Sequence, residues 1–208
     1  DYDVVIKLIP TKNDNYFVCM RLCSIQDNRF AYRKNVLPTS MHPSQAALIV
    51  SLAKPYLKET AQIMDPFCGV GTLLIERAHL VPAREIYATD TYGDAITMGR
   101  ENAAFAKTRI NFIHRDFFDF RHDYKFDELI TDMPVRNRQT KAEMELFYER
   151  FFDKAAEHLV SGGIIVMYSN EIGFVKKQIR LRVEYRLLQE TCILDKKDFY
   201  LFVIRYED

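Results

Sequence analysis

Residues 65–76, with the sequence Asp-Pro-Phe-Cys-Gly-Val-Gly-Thr-Leu-Leu-Ile-Glu, constrain the fold of this chain more than any other stretch. The apolar residues 61–64 lead to Asp65, and after Gly69 and Gly71 the sequence continues with helical periodicity. This order predicts a strand, a tight turn and a helix N-terminus in an open α/β sheet. Glycines permit positive φ and leave the backbone open to a ligand, and the helix directs N–H groups and its positive dipole end toward that ligand. The turn therefore predicts a nucleotide site at the carboxyl end of the first sheet strand.

The residues around the turn restrict which nucleotide it binds. A Walker phosphate loop needs Lys and then Ser or Thr after its last glycine, whereas Thr72 and Leu73 follow here. The dinucleotide fingerprint needs a third small residue, and Leu74 occupies that position. Asp90 ends a second apolar run about 20 residues later, where an acid usually accepts the ribose hydroxyls. An acid after each of the two strands, with the glycine turn between them, predicts S-adenosylmethionine, and a dinucleotide-dependent dehydrogenase remains the alternative.

The motif Asp-Pro-Phe-Cys-Gly-x-Gly-Thr-x-x-Ile-Glu at residues 65–76 resembles the first motif of the THUMP-associated RNA methyltransferases. The similarity continues in the same order from about residue 29 to the C-terminus, through looser motifs. The resemblance implies a class I, S-adenosylmethionine-dependent enzyme that methylates guanine N2 in tRNA or ribosomal RNA. It also implies that an N-terminal THUMP domain supplies RNA affinity, and no stretch of this sequence resembles such a domain.

The composition is that of a soluble globular domain without a global RNA-binding signature. The 208 residues are 48% hydrophobic and 28% charged, which suits one sheet with helices on both faces. Lys+Arg and Asp+Glu both number 29, so either a locally basic face or a missing domain would hold the RNA. No apolar run is long enough to span a membrane, and no signal sequence is visible. Since the first residue is Asp, we expect a segment of a longer protein.

The four cysteines, Cys19, Cys23, Cys68 and Cys192, lack paired CxxC spacing. They therefore do not predict a zinc site, and we expect no bound metal. Buried, reduced thiols are the simpler interpretation, and they predict a cytoplasmic protein because disulfides are rare in that compartment.

Periodicity and turn residues predict a Rossmann-like, doubly wound α/β fold with a seven-stranded methyltransferase sheet. Residues 1–36 are predicted to form a short N-terminal β prefix, and residues 37–208 the S-adenosylmethionine-dependent methyltransferase domain. The predicted strands cover residues 4–9, 16–22, 29–33, 61–64, 85–90, 110–114, 127–130, 164–168, 185–194 and 199–206. The predicted helices cover residues 43–57, 72–80, 94–107, 140–159 and 172–181. A turn at residues 195–198 joins the last two strands into a terminal antiparallel hairpin.

The resemblance assigns a set of residues to the cofactor. Asp90 would take the ribose hydroxyls, and Asp116, after the third strand, would take the adenine amino group. Phe117 would pack on the purine, with packing in the core as the alternative. His42 lies in the segment that covers the methionine end of the cofactor in the family, and capping of the next helix is its alternative role. The full cofactor set is Asp65, Phe67, Gly69, Gly71, Thr72, Asp90, Asp116, Phe117 and His42.

Residues 131–136, Thr-Asp-Met-Pro-Val-Arg, follow the predicted fourth strand and occupy the position of the catalytic motif in the family. Amino-group methyltransferases carry Asn or Asp there, then Pro or Leu, then Pro and an aromatic residue. A base amino group is a poor nucleophile because its lone pair is delocalised into the ring. The resemblance makes Asp132 and the Pro134 carbonyl the two acceptors that turn this lone pair toward the methyl group. Catalysis would then come from positioning and electrostatics.

Two residues depart from the family motif. Val135 stands where an aromatic residue would stack on a flipped base, and this loss removes stacking worth about 1–3 kcal/mol per base. Arg136 replaces a glycine, and its guanidinium or that of Arg138 would stack on the base in place of the ring. Phosphate contacts and a solvated basic loop are the alternatives for these arginines. The departures leave two other functions open: methylation of a protein amide or another amine, and a cofactor-binding but inactive partner module.

Overall fold

The computed structural model describes residues 4–22, 28–194 and 198–208. The chain divides into two compact units, Asp1–Ala31 and Tyr32–Asp208. Each unit has its own secondary structure and is described by itself.

In the first unit, strands β1 (Val4–Pro10) and β2 (Tyr16–Leu22) pair antiparallel, as predicted. The predicted third strand at residues 29–33 is wrong, because residues 29–32 form a turn. In this turn the Ala31 amide donates to the Asn28 carbonyl oxygen at 3.0 Å. The backbone groups of the stretch are therefore bonded locally rather than to a neighbouring strand.

The sheet of the second unit is built, in chain order, from β3 (Gln62–Asp65), β4 (Glu85–Asp90), β5 (Asn111–His114), β6 (Phe126–Asp132), β7 (Leu159–Ser169), β8 (Tyr185–Leu194) and β9 (Phe199–Tyr206). Within the described residues the seven strands lie in the order β5-β4-β3-β6-β7-β9-β8. Strands β3 to β7 are parallel, and β9 runs antiparallel between β7 and β8. The predicted doubly wound sheet with a terminal antiparallel hairpin is confirmed. The predicted turn of that hairpin lies partly outside the described residues.

The helices of the second unit are α1 (Pro43–Ala53), α2 (Thr72–Leu80), α3 (Gly93–Phe105), α4 (Lys141–His158) and α5 (Ile172–Leu181). Helix α1 packs on α2, and α4 packs on α5. Their starts follow local sequence signals, since Pro43 is the first residue of α1 and Thr140 forms a capping box with Glu143 at α4. Among the described helices, none is both long and apolar enough to cross a membrane.

Residues 32–36 belong to the second unit, although the sequence places them in the β prefix. The backbone amides of Lys34 and Asn35 both donate to the Asn102 side-chain oxygen of α3, at 3.0 and 2.9 Å. The buried Tyr32 hydroxyl donates to Glu76 of α2 at 2.5 Å. These bonds attach the segment to α2 and α3.

Helix α4 and strand β7 meet without a connecting loop, which the sequence did not predict. The helix ends at His158 and the strand begins at Leu159, whereas the predicted strand begins only at Ile164. The pairing of β7 with β6 shifts register between Leu159 and Ile164. Gly162 lies within this shift with a φ of 79°, a conformation that glycine adopts readily. The glycine pair thus marks an irregularity inside β7, because α4 has already ended at His158.

The prediction of buried thiols is partly wrong. Cys68 is buried, but Cys19 and Cys192 are exposed. Cys19 lies on β2, where the described side chains are exposed, and Cys192 lies on β8, the edge strand of the large sheet. Cys23 lies outside the described residues.

Aromatic side chains anchor α4 to the sheet. Phe151 and Phe152 of α4 are fully buried in one cluster with Phe126 of β6 and Phe202 of β9. Buried phenylalanine side chains carry a large part of the burial free energy of a core. This cluster therefore fixes α4 with respect to the strands that lead to the cavity described below.

A buried ion pair joins α2 to β6. Arg77 Nε and Nη2 donate to the two carboxylate oxygens of Glu128, both at 2.8 Å. Other Arg77 donors bond the carbonyl oxygens of Val81 and Lys58, at 2.6 and 3.1 Å. Burial raises the pKa of Glu128, and the Arg77 charge opposes this shift. Loss of one partner would leave the other charge buried and uncompensated.

Arg77→Met is expected to lower the free energy of unfolding by about 3–5 kcal/mol, because the Glu128 carboxylate loses its counter-ion. Urea denaturation at neutral pH measures the change. Arg121→Met is the matched control, since Arg121 lies 3.9 Å from Glu157 and its side chain is 73% exposed; a change below about 0.5 kcal/mol is expected there. Equal effects of the two substitutions would contradict a special contribution of the buried pair.

Candidate active site

A cavity of about 380 Å³ opens at the carboxyl ends of β3, β4 and β6. We call it the carboxyl-edge cavity; the residues on its walls belong to segments 37–41, 65–73 and 132–137, together with Asp90. Strands β3 and β6 are the neighbours at which the strand order reverses. The cavity therefore lies at the switch point where open α/β sheets bind their ligands.

The end of β4 holds the glycine turn that follows β3. The Gly69 amide donates to Asp90 Oδ2 at 2.8 Å, and the Tyr92 amide donates to the other carboxylate oxygen at 2.9 Å. The Cys68 amide donates to the Thr89 carbonyl oxygen at 3.0 Å. Gly69 has a φ of 50°, and no described heavy atom lies within 4 Å of the place where its Cβ would be. Since Gly69 lines the cavity, its missing side chain leaves that wall open to a ligand.

Gly71 serves the packing of helices against the sheet. It is the N-cap of α2 with a φ of 79°, and it is not among the described residues that line the cavity. A Cβ on Gly71 would lie 2.8 Å from the Phe112 ring, and a Cβ on Gly99 of α3 would lie 2.6 Å from it. The two glycines thus make room for the Phe112 ring of β5, whereas the sequence prediction placed Gly71 against the ligand.

The Thr72 hydroxyl is an unsatisfied polar group on the cavity wall. Thr72 is the first residue of α2 and is only 4% exposed. Within the described part of the chain, its Oγ1 has no hydrogen-bond partner. A buried hydroxyl without a partner costs about 1–3 kcal/mol, and the helix N-terminus beside it favours negative charge. This wall is therefore suited to an anionic group of a ligand.

Three carboxylates share the cavity: Asp65 at the end of β3, Asp90 at the end of β4 and Asp132 at the end of β6. Asp65 is buried, and its Oδ1 accepts the Phe67 amide at 3.0 Å. Burial raises the pKa of Asp65 well above its usual range, and the charges of Asp132 and Asp90 add to the shift. Burial likewise raises the pKa of Asp132 to about 7. Carboxyl groups with such shifts in a cleft are candidates for proton chemistry near neutral pH.

Strand β7 fixes the segment that follows β6. The Met133 amide donates to the Tyr168 carbonyl oxygen at 2.9 Å, which continues the β6–β7 ladder beyond the strand end. The Tyr168 hydroxyl is in turn hydrogen-bonded to Gln45 of α1. Beyond Met133, Pro134 and Val135 lie exposed on the cavity wall. The motif segment therefore leaves the sheet in a defined position at the mouth of the cavity.

Arg136 is paired with an acid from the segment before α5. Its Nε lies 3.9 Å from Glu171 Oε1. The Glu171 amide donates to Ser169 Oγ at 3.0 Å, and that hydroxyl bonds the Tyr148 hydroxyl of α4 at 2.6 Å. A partly exposed pair at this distance contributes less than about 1 kcal/mol, so it would orient Arg136 without fixing it.

The structure brings seven of the predicted site residues to one cavity. Its described lining residues include Asp65, Phe67, Gly69, Thr72, Asp90, Asp132 and Pro134. The other predicted residues do not line it in the described part of the chain: His42, Gly71, Asp116, Phe117, Arg136 and Arg138.

Local packing accounts for the position of several residues in the second group. Asp116 is exposed and caps the single-turn helix that follows it by accepting the Phe118 amide at 2.9 Å. The Phe117 ring is buried in the aromatic core, as its alternative role requires. His42 caps α1 by accepting the Ser44 amide at 3.3 Å.

Sequence reasoning did not assign several of the cavity residues, among them Cys68 and Asn137. Cys68 lies inside the quoted motif, but it was interpreted only as a thiol; burial raises its pKa on the cavity wall. Asn137 follows the catalytic motif, and no spacing rule points to it. Met41, with Thr39 and Ser40, comes from the loop that the family resemblance places near the cofactor.

The family model described as RMKL-like methyltransferase domain (UPF0020) matches residues 31–191. The chain belongs to this family. It is 31% identical over 187 residues to a tRNA (guanine(10)-N2)-dimethyltransferase of Methanothermobacter thermautotrophicus, covering 84% of this chain and 54% of that protein. It is 25% identical over 155 residues to a release factor glutamine methyltransferase of Lactococcus lactis, covering 65% of this chain and 56% of that protein. The chain thus spans little more than half the length of these two relatives.

Solved structures show the same fold. TrmN from Thermus thermophilus aligns with a TM-score of 0.75 at 20% identity, over 98% of this chain and 60% of that one. A protein of Listeria monocytogenes, named a putative class I S-adenosylmethionine-dependent methyltransferase, aligns with a TM-score of 0.65 at 16% identity, over 84% of this chain and 64% of that one. At these identities the likeness shows the fold alone. The RMKL-like domain has the Rossmann-like methyltransferase fold, and the predicted family resemblance is confirmed.

The free energy of unfolding of Asp132→Asn should increase relative to that of the natural protein as the pH rises from about 4 to about 7. The pKa of Asp132 is about 7 in the folded chain but about 3.9 in an unfolded one. Between these two pKa values the folded state binds a proton that the unfolded state has released, so the natural protein loses stability as the pH rises, by at most about 1.4 kcal/mol per pH unit. The asparagine cannot ionise, so the variant escapes this loss.

Urea denaturation at about pH 4, 6 and 8 measures this difference. Asp123→Asn, at an exposed aspartate in the loop before β6, is the control. A difference between Asp132→Asn and the natural protein that stays constant over the range would contradict the raised pKa of Asp132.

Proposed function

We propose that this chain carries out S-adenosylmethionine-dependent methylation of an exocyclic amino group in RNA, with guanine N2 in tRNA or ribosomal RNA as the first candidate. The observation that carries this proposal is the common cavity of Asp65, Asp90 and Asp132, which end three parallel strands around the glycine turn. The archaeal tRNA (guanine(10)-N2)-dimethyltransferase, at 31% identity, supports the substrate class.

The cavity residues fit this cofactor in charge and in hydrogen bonding. The unpartnered Thr72 hydroxyl and the N-terminus of α2 suit its carboxylate. Asp90 gives one oxygen to each of two backbone amides, and its remaining lone pairs can accept the ribose hydroxyls. The buried Asp65 and the half-buried Asp132 favour a cationic ligand, because positive charge would stabilise their ionised forms. When bound, S-adenosylmethionine supplies an electrophilic methyl group.

Asp132 would orient the amino group of the substrate. Its ionised carboxylate accepts one amino hydrogen, and the Pro134 carbonyl on the same cavity wall accepts the other. The nitrogen lone pair is thereby withdrawn from the ring and turned toward the methyl group, so most of the catalysis comes from positioning. The same carboxylate can take the proton that the nitrogen releases. Since the pKa of Asp132 is about 7, this role requires a pH near or above neutrality.

The proposal for the partners of the chain rests on its net charge and on the share of its relative's length that it spans. The formal net charge is zero, and the chain spans 54% of the archaeal relative. We therefore propose that RNA affinity comes in part from a domain outside this sequence, and that Arg136 and Arg138 contribute contacts at the mouth of the cavity. The cytoplasmic location stays a prediction from the cysteine spacing.

Asp132→Ala is expected to lower kcat for RNA methylation about 10²- to 10³-fold, the effect of losing one preorganised group at the reacting centre. Transfer of labelled methyl groups by the full-length protein to RNA from cells that lack the gene measures the rate, and nucleoside mass spectrometry identifies the product. With natural protein, kcat should fall below about pH 7, and Asp132→Asn should remove this dependence. Asp123→Ala is the control. Full activity of Asp132→Ala, or no methylated guanosine in any RNA, would overturn the proposal.

Asp90→Ala is expected to weaken S-adenosylmethionine binding about ten- to a hundredfold, since each lost hydrogen bond to the carboxylate is worth about 1.5–3 kcal/mol. Isothermal titration calorimetry measures the affinity. Asp90→Asn is the companion variant, because an amide oxygen can still accept the Gly69 amide and so keeps the turn in place. Unchanged affinity of the alanine variant would remove Asp90 from the cofactor site.

Methylation of a protein amide is the second candidate function. The 25% identity to the release factor glutamine methyltransferase favours it, and so does Val135, which offers no ring to a base. Incubation of release factors with labelled cofactor and the full-length protein tests this function. Asp132-dependent label in protein and not in RNA would establish it over the leading proposal.

A further inference from the structure

A second cavity, of about 220 Å³, adjoins the carboxyl-edge cavity and shares Pro134 and Val135 with it. Its other walls come from Gln139 and from the α4 residues between Glu143 and Arg150 that face it. We call it the α4 cavity. No function described above uses it.

The walls of the α4 cavity are mainly apolar. Met144, Leu146 and Phe147 of α4 line it together with the shared Val135. Leu146 is 54% exposed and Val135 is 51% exposed. Single exposed apolar side chains are ordinary, but a cluster of them around a concave surface marks a place where an apolar ligand binds.

Arg150 gives the α4 cavity a planar cation. Its guanidinium carbon lies 4.2 Å from the centre of the Phe118 ring, within the range of a cation–π interaction. This contact limits the orientations of the guanidinium at the edge of the cavity. Guanidinium planes and aromatic rings are the groups on which proteins stack unpaired bases.

The charges around the α4 cavity fit a polyanion. Arg138 and Lys141 are exposed and flank the lining residue Gln139 by one and two positions in the chain. The acid on its walls, Glu143, accepts hydrogen bonds from the Thr140 amide and hydroxyl, at 2.7 and 2.9 Å. Its carboxylate is thereby engaged in capping α4, while the arginines and the lysine can contact phosphates.

We propose that the α4 cavity binds an unpaired nucleobase of the substrate RNA next to the target nucleotide. This inference rests on the proposed function, since it takes RNA as the substrate. The reacting amino group must reach Asp132, which lines the carboxyl-edge cavity but not the α4 cavity. The two cavities therefore hold different bases, and the Pro134-Val135 segment separates them. Apolar walls, a stacked guanidinium and nearby cations match a base attached to its phosphates.

The proposal also accounts for the valine at position 135. Without an aromatic ring there, the target base loses one stacking platform. A neighbouring base held between the apolar face of α4 and Arg150 supplies stacking from the adjoining cavity. Val135 lies on both walls, and a large ring at this position would narrow the entrance to the α4 cavity.

The test compares the binding of two labelled probes to the full-length protein by fluorescence anisotropy. The probes are a short oligoadenylate and an abasic ribose-phosphate chain of equal length and charge. The natural protein should prefer the oligoadenylate about five- to a hundred-and-fiftyfold, the range that stacking of one base supports. Leu146→Ser and Arg150→Gln should each reduce this preference to below about threefold, because both remove stacking surface. Because the two probes carry equal charge, the loss of one positive charge in Arg150→Gln should weaken both affinities alike and leave their ratio unchanged.

Matched controls lie on α5. Leu181→Ser removes a leucine that is 65% exposed, and Arg180→Gln removes an exposed arginine; both should keep the full preference. A preference that survives both Leu146→Ser and Arg150→Gln, or no preference in the natural protein, overturns the proposal. Methyl transfer is read separately. A lost preference with RNA methylation intact overturns this inference alone, whereas an intact preference without RNA methylation overturns the proposed function and leaves only the binding of an unpaired base by the α4 cavity.

Discussion

The hydrogen bond from the Gly69 amide to the Asp90 carboxylate, 2.8 Å long, joins two loops that leave different strands. Gly69 makes this bond with a positive φ, and the bond places the turn after β3 beside the end of β4. The bond from the Phe67 amide to Asp65 holds the same turn at its other end. The wall of the carboxyl-edge cavity formed by residues 65–73 is built around this pair of contacts, because α2 starts from the turn they fix.

The unfavourable electrostatic free energy of this arrangement lies mainly in the carboxyl groups of the carboxyl-edge cavity. Asp65 is buried beside Asp90 and Asp132, and burial and mutual repulsion both disfavour its ionised form. The unpartnered Thr72 hydroxyl adds a second unfavourable group on the same wall. A ligand with a cationic centre and a carboxylate would relieve both, as the proposed cofactor does. The buried Arg77–Glu128 pair and the aromatic cluster under α4 supply the rigid frame in which such a site persists.

The sequence predicted the elements that a clear period and a clear end signal define. Helix α2 and strand β4 have the predicted bounds, because Gly71, Pro82 and Asp90 interrupt their patterns. The prediction failed at residues 29–33, where local backbone bonds replace a strand. It also failed at the start of β7. Gly162 lies at a register shift inside this strand, but a glycine is equally typical of the end of a helix. In both places the backbone hydrogen-bond pattern determined the secondary structure, and this pattern cannot be read from the sequence.

The sequence by itself determined the three carboxylates of the site, because parallel strands that end in Asp bring those side chains to one edge. It also determined the glycine turn, since only glycine adopts both of its positive φ values without strain. The tertiary structure alone decided that Gly71 faces Phe112, that Phe117 is buried in the core, and that α4 forms a second cavity beside Val135. These outcomes depend on which side chains meet across distant elements. Periodicity fixes the face of an element, but the neighbour that packs against that face is set only when the whole chain is folded.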